Sequence, residues 1–247
     1  MKYKFVYDKG FEKNLFLNLS QEEIGVVIAT VLGKHNAMFF GYKPERLILA
    51  IKKLCYECNY IEVNESNQLA DDISFFACNF TDKVQKGVVF VPNINNKSGL
   101  FYDTIRLASS NINRDCQIVV YDTNAPRTDR PYFNEALENF DIIYECKEGD
   151  IIQKSVDELR SKFKSIQDYK LSLCSGKHVT GKFREVDSYW TTGKCFDTYC
   201  ELKRRNSVLA LKYMKVARSI SDINFHNLTP VSDLEGAMKL YYKGDVE

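Results

Sequence analysis

The chain has 247 residues, 45% apolar and 27% charged, which is the balance of an ordinary globular protein and enough for one large domain or a core with a smaller satellite. Its 34 basic residues nearly cancel its 33 acidic ones, so bulk neutralisation of nucleic acid is excluded as its main business, while a local basic patch is not. No run approaches the roughly eighteen uninterrupted apolar residues of a membrane span, and MKYKFVYDKG lacks a long apolar stretch before a cleavage site. A cytoplasmic protein with no membrane partner is therefore expected, its eight cysteines reduced and mostly packed as small core residues.

In chain order, short apolar runs alternate with helical patterns up to about residue 150. Strands are expected at Ala37 to Phe40, Tyr60 to Val63, Gly87 to Val91, Gln117 to Tyr121 and Phe140 to Tyr144. A helix is expected from Pro44 to about Asn59 and another from beyond Val91 through Ile105. Continuously apolar strands separated by helices predict a parallel sheet covered on both faces, hence an α/β core over residues 1–150. From about residue 151 the strand-like runs fade, and residues 151–247 read as a linker and a helical subdomain.

Within that second part, Leu209, Tyr213, Val216 and Ile220 are spaced to share one helix face, with Lys212, Lys215 and Arg218 on a solvated opposite face. A final helix is expected to begin at Pro230, with Thr229 as its N-cap.

The loop GYKPERL, residues 41–47, follows an apolar run and precedes an amphipathic one. This is the strand–loop–helix frame that cradles phosphates. Other landmarks follow in order. His35 and Asn36 precede the loop, residues 87–93 read GVVFVPN, IVVYDTNAP contains Asn124, residues 136–141 read ALENFD, and residues 210–223 read ALKYMKVARSISDI.

In this order they resemble the magnesium-chelatase-like branch of AAA+ ATPases, including its competence-related bacterial members. The landmarks correspond to that branch's GHN lead, GVLFLDE-like Walker B strand, Asn-Pro turn, LLDRFD-like segment and YxRILxVARTIADL-like lid run. The resemblance covers residues 20 to 242, the AAA+ module only. It implies a P-loop NTPase-like three-layer αβα core with a C-terminal helical lid, a nucleotide site and ring assembly.

The departures from that pattern are systematic. A working P-loop needs glycines that turn backbone N–H groups toward the phosphates, a Lys, and a Ser or Thr for magnesium. Lined up from Gly41, the later glycines become Pro44 and Arg46, the Lys becomes Leu47, and the Ser/Thr becomes Ile48. Pro44 has no N–H, and Arg46 resists the left-handed conformations that glycine accepts. Pro92 and Asn93 stand at the two Walker B carboxylates, Asn139 at a subunit-bridging Arg, and Val208 at a phosphate-sensing lid Arg. Loss of all these groups removes the electrostatic stabilisation on which phosphoryl transfer depends.

The expectation is thus a catalytically inactive AAA+-like protein, a binding or assembly module with a protein partner and no cofactor. Gly41, Lys43, Arg46 and Asn124 mark the vestige of its nucleotide site. One alternative is residual ATP and magnesium binding, or slow hydrolysis. Another is DNA association through Lys203, Arg204, Arg205, Lys212, Lys215 and Arg218, a stretch with no acidic residue. Homo-oligomerisation stays open, since the resembled family forms rings.

Weaker signals remain. GKHVTGK at 176–182 fits G-x-x-x-x-G-K without the final Ser/Thr and reads as a mobile basic loop, and TTGK at 191–194 is weaker still. Cys55 and Cys58 form CYEC, with Cys174 and His178 or Cys195 and Cys200 as conceivable zinc partners, against core or surface thiols as the default. The three histidines are scattered, and no nucleophile elbow appears.

Overall fold

The computed structural model describes residues 16–55, 59–62, 86–93, 95, 115–126, 137–173 and 190–241. The expected helix through Ile105 and the GKHVTGK stretch lie outside the described residues, as do Cys58, Cys174 and His178. The chain divides into two compact units, one within Asn36–Gly149 and one made of Asn14–His35 with Asp150–Tyr242.

The first unit holds a five-stranded parallel sheet. Its strands are β2 (Ala37–Gly41), β3 (Asn59–Glu62), β4 (Lys86–Pro92), β5 (Asp115–Asp122) and β6 (Ile142–Cys146), in the order β3-β4-β5-β2-β6. All pairings are parallel, with Phe40 beside Asp122 on one side of β2 and Glu145 on the other. Ala37 through Phe40 are all buried, as a strand covered on both faces requires. From β2 the chain crosses to the far edge at β3 and returns strand by strand to β5, and β6 then pairs with the other side of β2. The loop after β2 therefore starts between the carboxyl ends of two later strands, where open parallel sheets collect ligands.

Helix α2 (Glu45–Leu54) follows that loop and stops five residues short of the expected Asn59, where β3 begins. Leu47, Ile48, Ala50, Ile51 and Leu54 form its buried stripe, and Lys52 and Lys53 complement the partial negative charge of its last turn. Strand β6 lies two residues later than expected, because Phe140 closes a turn, its N–H donating to the Leu137 carbonyl at 3.1 Å.

The second unit is helical, with one ribbon that sequence periodicity does not reveal. Strand β1 (Phe16–Leu19) pairs antiparallel with β7 (Ile152–Ser155), setting Phe16 opposite Ser155 and Leu19 opposite Ile152. Helix α1 (Gln21–Leu32) is opened by a capping box: Ser20 Oγ accepts from the Glu23 N–H at 3.1 Å, and Glu23 Oε2 accepts from the Ser20 N–H at 2.8 Å. Its other helices among the described residues are α3 (Val156–Leu173), α4 (Gly193–Arg205), α5 (Ser207–Ile223) and α6 (Val231–Lys239).

Helix α5 packs against α1, α3, α4 and α6, so it has no broad solvated side. This corrects the amphipathic reading: Lys212 and Arg218 are buried with Tyr213 and Val216, while Leu209 and Ile220 are only half-buried. Thr229 is likewise not the N-cap of the last helix. Pro230 occupies that position, and the buried Thr229 hydroxyl accepts from Arg218 at 3.3 Å.

Candidate functional site

The loop after β2 is shaped by three backbone constraints. Gly41 has φ +97°, and a Cβ there would lie 2.6 Å from the Cys146 carbonyl oxygen of β6. Lys43 is left-handed at φ 47°, which costs a non-glycine residue about 1 kcal/mol. Pro44, at φ −61°, is already helical and launches α2 with no side-chain cap.

The loop's polar groups turn inward. The Tyr42 N–H donates to the Cys146 carbonyl at 2.8 Å, and the Arg46 N–H donates to the Lys43 carbonyl at 3.2 Å. Arg46 Nε donates to the same Lys43 oxygen at 3.2 Å, and Nη2 to the Tyr42 carbonyl at 3.3 Å. The Tyr42 ring receives two cations, with Lys43 Nζ 5.0 Å and the Arg46 guanidinium carbon 5.4 Å from its centroid. Leu47 and Ile48 are packed in the core. Gly41, Lys43 and Arg46 are thus brought together, but the guanidinium is engaged with the loop's own carbonyls.

At the ends of β4 and β5 a second cluster forms. Asp122, buried, closes β5. Its Oδ1 accepts from the Asn124 N–H at 2.9 Å and from Asn124 Nδ2 at 3.3 Å, and its Oδ2 accepts from the Asn95 N–H at 3.0 Å. The Asn95 amide in turn donates to the Asn124 and Ala125 carbonyls at 3.3 and 3.1 Å. Pro92 and Asn93 are half-buried, Asn93 with φ 54°. Asn124 is therefore tied to Asp122. Sequence reasoning missed Asp122, although a carboxylate ending an apolar strand and followed two residues later by Asn is the pattern of an Asx turn.

Asn36 bridges the entry of the sheet. Its Oδ1 accepts from the Ile118 N–H at 2.9 Å, its Nδ2 donates to the Asn139 carbonyl at 3.2 Å, and its carbonyl accepts from Asp141 and Ile142. In the helical unit, buried His35 places Nε2 2.9 Å from Ser219 Oγ. His35 and Asn36 thus each do a structural job.

The six basic residues from Lys203 to Arg218 do not share a surface. Lys203, Arg204 and Arg205 are exposed at the end of α4, Lys215 is half-buried, and Lys212 lies buried with Nζ 5.5 Å from the Tyr241 ring centroid. Arg218 is buried, with Nη2 2.6 Å from Asp222 Oδ1, and its other donors meet the His226 and Asn227 carbonyls. Lys170 also approaches Asp222, at 3.8 Å. Asp233 accepts from Ser221 Oγ at 2.7 Å and from Asn224 Nδ2 at 3.0 Å, and lies 2.8 Å from His226 Nδ1.

Cys55, Cys146 and Cys195 are buried free thiols, and Cys200 is free and half-buried. Among the described residues no group of three or more His, Cys, Asp or Glu side chains could hold a metal ion. Burial, followed by the nearby Asp233 charge, pushes the Cys195 thiol up to about 11. TTGK is a helix start: Thr192 Oγ1 accepts from the Cys195 N–H at 3.3 Å. Among the described residues no helix is long and apolar enough to cross a membrane.

No family model matches the sequence, and no curated protein matches it. Solved structures do. A full-length MCM homolog from Methanopyrus kandleri superposes with TM-score 0.51 at 11% identity, over 89% of this chain and 53% of that one. A Cytophaga hutchinsonii protein that carries the provisional name ATPase superposes with TM-score 0.50 at 9% identity, over 88% of this chain and 79% of that one. The chain thus spans about half the length of the first. These likenesses define the class of fold: AAA+-type, with a P-loop NTPase-like α/β core and a helical subdomain.

Proposed function

We propose that this chain is a nucleotide-independent member of the AAA+ fold class, serving as a protein-binding or assembly module. The observation that carries the reading is the inward closure of the loop after β2. A phosphate cradle requires converging free N–H donors and an outward cation. Here the Tyr42 and Arg46 N–H groups meet protein carbonyls, Pro44 has no N–H, and Arg46 grips the Tyr42 and Lys43 carbonyls. The absence of carboxylates at Pro92 and Asn93 points the same way, because neither side chain could orient magnesium or activate water.

Calorimetric titration of the folded protein with ATP and ADP, with and without magnesium, tests it. No heat at millimolar nucleotide is expected. Saturable micromolar binding, or magnesium-dependent turnover abolished by Lys43→Ala, overturns it.

A second reading, residual nucleotide binding, rests on Asp122, a buried carboxylate beside Phe40 at the carboxyl edge of the sheet. It is the weaker reading, since both Asp122 oxygens already accept from Asn95 and Asn124. The same titration decides between the two.

A further inference from the structure

The turn between α4 and α5 has a chemistry that neither reading uses. Lys203, Arg204 and Arg205 end α4, Asn206 spans the turn, and Ser207 and Val208 open α5, all six residues exposed and Val208 55% so. Asn206 is extended at φ −154°, ψ 103°. Its N–H closes α4 on the Leu202 carbonyl at 2.9 Å, and its side chain caps α5 by accepting from the Leu209 N–H at 2.9 Å. The first residues of a helix lack intrahelical N–H bonds, so Ser207 is held at the helix start by the Asn206 side-chain cap and by the Ala210 N–H on the Asn206 carbonyl at 3.0 Å.

We propose that Ser207 is a phosphate-acceptor site for an arginine-directed serine protein kinase. Such an enzyme binds its substrate extended, reading paired cations before the acceptor with carboxylates and an apolar side chain after it. Arg204, Arg205 and Val208 supply those groups at the right side of Ser207; Asn206 is already extended, and because Arg205 ends α4 and Ser207 begins α5, the rest of the stretch opens by fraying of two helix ends. Other described serines lack the combination. Ser165 also follows lysines, but it lies in the middle of α3 where Ser207 stands at a helix end, and its hydroxyl donates to the Lys162 carbonyl at 2.9 Å; Ser219 and Ser221 are buried.

In the reaction Ser207 Oγ attacks the γ-phosphorus of ATP, the bond from that phosphorus to the β–γ bridging oxygen breaks, and ADP leaves with the electron pair. The hydroxyl proton passes to the kinase's catalytic carboxylate. The product phosphate sits at the N-terminus of a 17-residue helix whose first turn carries no acidic residue, two and three positions after a pair of arginines. It converts a turn with three cations into one with a net charge of about +1. This inference is independent of the proposed function.

The test incubates the full chain with the catalytic domain of an arginine-directed kinase and magnesium ATP, then locates phosphate by peptide mass spectrometry. Phosphate on Ser207 is expected, absent in Ser207→Ala and slowed on the order of tenfold or more in Arg204→Gln/Arg205→Gln. Both variants should keep the wild-type unfolding midpoint, since the changed side chains are exposed. The phosphorylated protein should leave a polyanion column at lower salt. An unmodified Ser207 in the intact protein overturns the proposal, whether or not a synthetic peptide of residues 202–210 is phosphorylated. So does phosphorylation of the double variant at the wild-type rate.

Discussion

Arg218 and Asp222 face each other one helical turn apart on α5, 2.6 Å between Nη2 and Oδ1, and both are buried. The guanidinium continues beyond its own helix to the carbonyls of His226 and Asn227 and the hydroxyl of Thr229, fixing the connection to α6. Removing one partner of a buried pair leaves the other charge uncompensated. Arg218→Met should therefore cost about 3–5 kcal/mol in urea unfolding. Amide exchange at residues 226–229 should accelerate beyond the global effect. A variant within about 0.5 kcal/mol of wild type would mean that Lys170 alone satisfies Asp222.

Gly41 and Gly25 make opposite predictions for the same substitution. Gly41→Ala places a Cβ 2.6 Å from a backbone oxygen at φ +97° and should cost about 2–4 kcal/mol. Gly25 lies inside α1 with nothing within 4 Å of its added Cβ, so Gly25→Ala should stabilise by about 0.5–1 kcal/mol. Thermal unfolding midpoints moving in the same direction for both would contradict the geometry.

Gly33 is required for space and not for conformation, since its φ is −88°. A Cβ there would fall on the His35 imidazole and 2.5 Å from Ser219 Oγ, and those two side chains are held by their mutual hydrogen bond. Gly33→Ala is expected to cost about 1–3 kcal/mol. Combining it with Ser219→Gly should recover part of the loss, which a double-mutant cycle measures.

Cys195 sets an alkaline limit. Its thiol stands at about 11 in the folded chain against 9.0 in the unfolded one, so the unfolded state releases its proton first. The contribution is whole below pH 9.0 and is lost as pH rises toward about 11. That window should cost on the order of 1–3 kcal/mol. In Cys195→Ala the fall in stability between those pH values should be shallower. Burial also raises Tyr213, so part of the slope should survive the substitution.

Much of the sheet is legible in the sequence, because a strand buried on both faces must be apolar throughout. AMFF of β2 and IVVY of β5 have no other reading at that length. The ribbon of β1 and β7 is not legible, since FLNL and IQKS are four residues each and β7 contains a single apolar side chain. Helix α1 could have been found from its capping box, S-Q-E-E before an apolar run.

At the candidate site, the loop GYKPER between a strand and a helix can be read directly, but its closure cannot. Arg46 folds back because Lys43 is left-handed, a property of the backbone. Lys212 and Arg218 mislead for a related reason. Their spacing on α5 is that of an exposed face, while the elements that bury them come from distant parts of the chain.

His35 and Ser219, bonded in the helical unit, stand 184 positions apart in the chain. As the polypeptide leaves the ribosome, α1 emerges with seven residues that will be buried, and its main companion α5 follows only after α2, α3 and α4. β2 similarly waits for β5 and β6 before either of its edges is paired. Such late closure slows folding and leaves apolar surface uncovered during synthesis. A nascent chain of this protein should accordingly occupy a chaperone until α5 has emerged.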